Sequence, residues 1–224
     1  MTISTIRHDE VFPVHKYDYP VTVIGVGAIG SRVGMALVEL GLTKLTFIDF
    51  DEVEAHNLAN QAFMDCHIGV SKVYAMEDLV RMKLGYVPDT MTFLQEKITP
   101  ESQSINHGTV FMCVDSIEAR RMLMEKFKRD GGTFNVFDTR MASTHGNVHY
   151  VNLIDELSTR KYFNNLPEND DNTELSACGS TLTVGTTASL IANLAVWQFM
   201  HLRHEPAAMN EDIEIFFKPL TLCQ

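Results

Sequence analysis

Short unbroken apolar or β-branched runs alternate with longer segments in which apolar residues recur every three or four positions. The first kind predicts strands buried on both faces, the second predicts amphipathic helices. Read this way, residues 20–25 form a strand, 29–40 a helix and 44–49 a second strand. Ser71 caps a helix on which Val73, Met76, Leu79, Val80 and Leu84 repeat at helical spacing, and Gly85 ends it. Strands follow at 91–94 and 109–114, an amphipathic helix at 116–129, and strands at 133–137 and 147–154. Residues 155–177, with Asn164, Asn165, Pro167, Asn169, Asp170, Asp171 and Asn172, read as a polar crossover-type loop. A helix over 183–202 and a late edge strand over 213–218 complete the chain, and residues 1–19 are an irregular lead-in.

Strand and helix alternate through the first two-thirds, the signature of a mostly parallel sheet. The expected fold class is α/β: a Rossmann-like, mostly parallel sheet with helices on both faces and antiparallel strands toward the C-terminal part. At 224 residues and 45% hydrophobic content, and with no repeat or linker, the expectation is a single nucleotide-binding domain over 1–224.

Within this pattern, residues 20–61 carry the most chemistry. The strand Val21–Ile24 enters Gly25-Val-Gly27-Ala28-Ile29-Gly30, and a helix follows at once. Glycines at this spacing let the backbone turn tightly and approach a phosphate at a helix N-terminus. Asp49 ends the second strand 19 residues beyond Gly30, where an acidic side chain accepts hydrogen bonds from ribose hydroxyls. These features alone fit an NAD-dependent oxidoreductase, an ATP site, or a glycine turn with no ligand.

The residues that follow narrow the choice. Asp49-Phe50-Asp51-Glu52-Val53, Asn57-Leu58-Ala59-Asn60-Gln61, Ile68-Gly69-Val70-Ser71-Lys72 and the buried strand ending in Cys113-Val114-Asp115 occur in that order. A cysteine, Cys178, then precedes a glycine-containing stretch and the last long helix. This ordered set resembles the ThiF/MoeB-like, or ubiquitin-activating-enzyme-like, adenylyltransferase superfamily. The resemblance is carried by residues 21–116 and, more weakly, by 178–200.

The resemblance implies an ATP-dependent adenylyltransferase that activates the C-terminal carboxylate of a small ubiquitin-like or sulfur-carrier protein or peptide, typically ending in Gly-Gly. It implies ATP and Mg²⁺ as the cofactors and a homodimer. By the same resemblance Gly25, Gly27, Ala28, Ile29 and Gly30 pack against the nucleotide, Asp49 holds the ribose, and Asp51 is a second nucleotide contact. Asn57, Asn60 and Gln61 lie around the phosphates, Lys72 places charge at the α-phosphate, and Asp115 is the metal ligand. Cys178 is the position from which a thiol attacks the adenylate in sulfur-transferring members. Plainer readings stand beside these: a solvated helix-start lysine for Lys72, a helix cap for Asp115, an exposed loop acid for Asp51 and a packed helix start for Cys178.

Two departures from the family pattern stand out. The family carries an arginine in Asn-Leu-x-Arg-Gln that contacts the γ-phosphate, and here that position is Asn60. Another cation supplies the charge (Arg32, Arg81 or Arg7, from this or a partner subunit), or the enzyme is slow and divergent, or the protein is a nucleotide- or partner-binding module without chemistry. The Cys-x-x-Cys pairs of many members are also missing, which removes a structural zinc but leaves the adenylation residues in place.

Composition trims the remaining alternatives. A net charge of -11 with 18 Lys and Arg is a poor match for nucleic acid or an anionic membrane. No run approaches the roughly 18 apolar residues of a membrane span, and the N-terminus lacks a signal-peptide pattern. Four scattered cysteines suit a reduced, cytoplasmic protein better than a disulfide framework. His145 and His149, four apart in a region that reads as turn and strand, would share a helix face or lie apart on one strand face, and are weak candidates for a metal. Asp138 and Arg140 end a strand where an α/β sheet binds ligands, and so are candidate contacts for the acceptor's tail.

Overall fold

The computed structural model describes residues 4–104, 108–170 and 183–224. Eight strands form one sheet in the order β3-β2-β1-β4-β5-β6-β7-β8. They are β1 (Val21–Ile24), β2 (Leu45–Asp49), β3 (Thr92–Gln95), β4 (Thr109–Met112), β5 (Asn135–Met141), β6 (His145–Asn152), β7 (Asp212–Phe217) and β8 (Leu220–Cys223). The first five in chain order pair in parallel, and β5 through β8 pair antiparallel. Every residue of β1, β2 and β4 is buried. That is why these strands are continuous apolar runs: helices cover both of their faces.

On one face lie α1 (Gly30–Glu39), α2 (Lys72–Leu84) and α5 (Gly185–His204). They pack Val33, Leu37, Met76, Val80, Ile191 and Phe199 against Val23, Phe47, Phe111 and Phe137 of the sheet. Phe199 meets Phe12, Tyr17, Phe111 and Phe137 at ring separations between 5.0 and 6.3 Å, so the lead-in is anchored through Phe12 and Tyr17. On the other face α3 (Ile117–Asp130) and α4 (Glu156–Asn165) pack Leu123, Met124, Phe127 and Tyr162 against Ile24, Val110, Met112, Val136 and Val151. None of the described helices is long and apolar enough to cross a membrane.

Helix ends follow the residues available. Ser116 accepts the Ala119 N–H and caps α3, and Gly85 closes α2 in the left-handed region at φ 81°. Three expectations are corrected. Glu156–Asn165 is a helix, capped by Asp155, inside what read as a polar loop. The strand expected at 133–137 runs from Asn135 to Met141. The late strand is not the edge, because β8 pairs beyond it.

Candidate functional site

In an open α/β sheet, ligands bind where neighbouring strands send their connections in opposite directions. Here that point lies between the C-terminal ends of β1 and β4. β1 delivers the glycine loop to it, β2 delivers Asp49, and β4 delivers Cys113-Val114-Asp115.

The three glycines serve different purposes. Gly25 has φ +84°, and a β-carbon on it would stand 2.7 Å from the Cys113 carbonyl oxygen. A β-carbon on Gly30 would fall 1.8 Å from the Gly25 carbonyl oxygen. Both are therefore demanded by the fold, since neither neighbour is a side chain that could move aside. Gly27 differs: nothing lies within 4 Å of its missing β-carbon. The loop thus leaves an open approach to the backbone just before α1. Ala28 follows it in the turn, and Ile29 is the buried residue at the N-cap of α1.

Asp49 is 8% exposed and holds this loop. Its Oδ2 accepts the Val26 N–H at 2.6 Å and its Oδ1 accepts the Asp51 N–H at 2.9 Å. Each carboxylate oxygen retains a further lone pair for a hydroxyl group. Burial pushes its pKa up, against the opposing pull of the Asp51 amide, the Lys72 charge and the Val26 amide. Asp51 is exposed and receives Lys72 Nζ at 2.7 Å. Lys72 is the first residue of α2 and its side chain is 10% exposed. Its ammonium is therefore held at the inner edge of the site by a carboxylate that solvent also reaches.

A short 3₁₀ helix, Ala55–Ala59, carries Asn57 and ends at Asn60, its C-cap. Asn57 is buried, and its Oδ1 accepts the Glu54 N–H at 2.8 Å. Asn60 Nδ2 donates to the hydroxyl of Thr183, just ahead of α5. Among the described residues, Asn60 Oδ1, Gln61 Oε1, Ser71 Oγ and Arg32 Nε are all buried without a hydrogen-bond partner. Such atoms are rare in a finished core and mark places where water or a ligand completes the bonding. Asp115 is exposed between the end of β4 and the cap of α3. Among the described residues no group of three or more His, Cys, Asp or Glu could enclose a metal. Mg²⁺ needs only one or two carboxylates beside phosphate oxygens, so Asp115 fits that ion together with a nucleotide. The open cradle at Gly27 and the orphaned polar atoms fit a nucleotide in the same way.

Below the site lies a cluster that the sequence only half showed. Asp138 on β5 is fully buried. Its Oδ1 accepts Arg120 Nη1, and its Oδ2 accepts Arg140 Nε at 2.8 Å, Arg140 Nη2 at 2.6 Å and the Tyr162 hydroxyl at 2.9 Å. Burial alone would raise its pKa, but Arg120 and then Arg140 hold it below the usual carboxylate range. Arg120 also donates through Nη2 to the Val114 carbonyl, next to Asp115. Arg120 went unremarked in the sequence. Its signal was its place on the apolar stripe of α3, three residues after Ile117 and three before Leu123, where a cation requires a buried partner.

Elsewhere the structure settles other candidates. Burial pushes the Cys113 thiol up to about 12, which suits packing beneath the glycine loop and not nucleophilic attack. His149 pairs with Asp212 at 2.9 Å and His145 stacks on Phe216, so neither meets a metal-binding partner set. Cys178 lies outside the described residues.

The ThiF family model matches residues 17–214. Over 115 residues the chain is 32% identical to the tRNA threonylcarbamoyladenosine dehydratase of Haemophilus influenzae, spanning 49% of this chain and 43% of that protein. It is 38% identical over 118 residues to ubiquitin-like modifier-activating enzyme 5 of Mus musculus, spanning 46% of this chain and 28% of the mouse protein. Each match thus spans less than half of the relative's length. Among solved structures, PaaA superposes with a TM-score of 0.72 at 15% identity, over 96% of this chain and 66% of that one. E. coli TcdA, a tRNA N6-threonylcarbamoyladenosine dehydratase, superposes at 0.63 and 18%, over 93% and 99%. E. coli MccB, solved with AMPCPP and MccA, superposes at 0.68 and 13%, over 92% and 63%. At these identities the structures show a shared fold.

Proposed function

Because the chain belongs to the ThiF family, matched over residues 17–214, we propose that it is an ATP-dependent adenylyltransferase acting on the C-terminal carboxylate of a small protein or peptide. The acceptor class is a ubiquitin-like or sulfur-carrier chain with a Gly-Gly type end. The observation that carries this reading is the open cradle at Gly27, flanked by Asp49, Lys72 and Asp115 at the switch point of the sheet. A relative named as a ubiquitin-like modifier-activating enzyme and a fold neighbour solved with an ATP analogue and MccA support it.

In this reading the acceptor carboxylate oxygen attacks the α-phosphorus of ATP. One P–O bond forms, the bond to the bridging oxygen breaks, and pyrophosphate leaves with that electron pair. Asp49 accepts from the ribose hydroxyls while still fixing the loop through Val26 and Asp51. Backbone N–H groups around Gly27 meet phosphate oxygens at the start of α1. Asn57 and Gln61 line the phosphates. Lys72 stabilises the charge that grows on the α-phosphate in the transition state. Asp115 would hold Mg²⁺, and that ion would neutralise phosphate oxygens there. Arg140, near the carboxyl end of β5 and bidentate on Asp138, is the candidate contact for the acceptor's tail, and Cys178 is retained as the candidate nucleophile toward the adenylate. The chain acts as one domain, as a homodimer and in the cytoplasm, and it needs neither nucleic acid nor membrane.

A second reading, a binding module without chemistry, is favoured by one observation. Asn60 brings no charge, and one of its two amide hydrogens is already given to the Thr183 hydroxyl. ATP–pyrophosphate exchange with short acceptors ending in Gly-Gly separates the two. Exchange that is lost on Lys72→Ala and Asp115→Ala supports the enzyme, and no exchange with any acceptor despite ATP binding supports the module. Stabilisation by NAD(H) but not ATP in a thermal-shift assay overturns both in favour of an oxidoreductase.

A further inference from the structure

A nucleotide polyphosphate brings several negative charges, and most cations near this site are already spoken for. Lys72 is on Asp51. Arg120 and Arg140 are on Asp138. Arg81 is on Glu77 and Asp78, along α2. Arg7 is exposed, and its neighbour His8 reaches the Leu40 carbonyl at the far end of α1 from the glycine loop.

Arg32 is different. It sits in the first turn of α1, two residues after Gly30. Among the described residues its one hydrogen bond is a long one, Nη2 to the Asn60 carbonyl at 3.4 Å, and its Nε is buried without a partner. No carboxylate among the described residues pairs with it, and burial lowers its pKa. A guanidinium left this way lacks the anion that its fork is built to hold.

The N-terminus of α5 meets the same guanidinium. A β-carbon on Gly185 would lie 3.2 Å from Arg32 Nη2 and 2.8 Å from the Ala59 carbonyl oxygen. Glycine at 185 therefore lets the helix start close beside the arginine. Among the described residues no side chain caps α5, and its first turn carries no acid. The amides that an α-helix leaves unpaired at its start, and its dipole, favour an anion there.

We propose that Arg32, together with the N-terminus of α5, binds the terminal phosphate of a nucleoside triphosphate, and so supplies the charge that Asn60 does not. The proposal rests on the nucleotide reading of the site given above. The arginine has moved from the loop after β2 to the first turn of α1, while Asn60 props the start of α5 through Thr183.

The test is calorimetric binding of ATP, ADP and AMP to the unsubstituted protein and to Arg32→Gln, Arg32→Lys and the pair Arg32→Gln with Asn60→Arg, each checked by a thermal melt. Arg32→Gln is expected to weaken ATP about ten- to a hundredfold, the range for losing a charge-assisted bond, while AMP binding holds within about twofold. Arg32→Lys keeps a charge but loses the fork, so its preference for ATP over ADP falls less. Adding Asn60→Arg restores the preference. An unchanged ATP-to-ADP ratio in Arg32→Gln overturns the proposal and leaves the adenylyltransferase reading standing. Equal weakening of ATP, ADP and AMP also overturns it, because that marks a merely structural arginine. Should Arg32→Gln fail to fold, an unchanged ratio in Arg32→Lys does the same. No ATP binding by the unsubstituted protein overturns the nucleotide reading and this proposal with it.

Discussion

Replacing Asp138 by Asn tests whether the buried ionic cluster holds the sheet together. The carboxylate is fully buried and accepts from Arg120, Arg140 and Tyr162. Asparagine keeps one acceptor, loses the charge, and turns an NH₂ group toward a guanidinium. Arg120, whose side chain is 5% exposed, is then left as an unpaired buried cation. Breaking a buried pair from one side costs about 3–5 kcal/mol, a large part of the roughly 5–15 kcal/mol that stabilises a typical domain. At about 2–4 °C per kcal/mol for a chain of this size, the melting temperature falls by about 6–20 °C. Urea unfolding at 25 °C, followed by far-ultraviolet circular dichroism, measures the loss directly. Arg120→Met with Asp138→Asn closes a double-mutant cycle, and contact between the two sites predicts at least about 0.5–3 kcal/mol of non-additivity. The pH dependence has a definite sign. Arg120 and Arg140 depress the Asp138 pKa, so its contribution is fully present above the unfolded value of about 3.9. It is lost only as pH falls through the lower folded pKa. The gap between wild type and Asp138→Asn is therefore flat at neutral pH and closes in acid. A loss below about 1 kcal/mol, or a strictly additive double mutant, would falsify this account of the cluster.

Other outcomes follow from the same geometry. Gly30→Ala drives a methyl into the Gly25 carbonyl and costs about 1–3 kcal/mol or more, whereas Gly27→Ala stays within about 0.5 kcal/mol in urea unfolding yet loses ATP affinity by calorimetry. Equal stability of the two variants would show that the glycines are not divided as described. Lys72→Ala shifts stability by no more than about 1 kcal/mol, because its partner Asp51 is nearly half exposed, but lowers pyrophosphate exchange about a hundredfold or more. Retained exchange removes Lys72 from the transition state. Iodoacetamide at pH 8, read by peptide mass spectrometry, labels exposed Cys66 and Cys223 and spares Cys113, whose thiol is raised to about 12. Rapid labelling of Cys113 in the folded protein contradicts the burial argument.

The parallel half of the sheet was legible because its strands are sandwiched, and a sandwiched strand can only be written as an apolar run such as Val21–Ile24 or Thr109–Met112. α4 escaped for the opposite reason. It buries Ser158, Thr159 and Tyr162 and exposes Leu157, so its inward face is largely polar and shows little hydrophobic period. β8 escaped because all four of its residues are exposed, leaving no alternation to read. The glycine loop and Asp49 were readable because short-range spacing places them at a strand end and a helix start, whereas Lys72 and Asp115 became candidates only through the family resemblance. The link between Arg120 and Asp138 joins residues on different elements, and one sequence holds no record of that register. Nor could spacing reveal that Asp49 braces the glycine loop through Val26, or that Arg32 stands beside Gly185 at the other end of the chain.

The sheet changes direction at β5, parallel to β4 on one side and antiparallel to β6 on the other. Asp138 lies on that seam, and through Arg120 it grips the Val114 carbonyl just ahead of Asp115. Tyr162 of α4 and Arg140 of β5 grip the same carboxylate from the antiparallel side. A tilt of either half must therefore be shared by the backbone that presents Asp115. The seam ties the two halves of the sheet through one buried carboxylate, so strain applied to the antiparallel strands is expected to reach the backbone at Asp115.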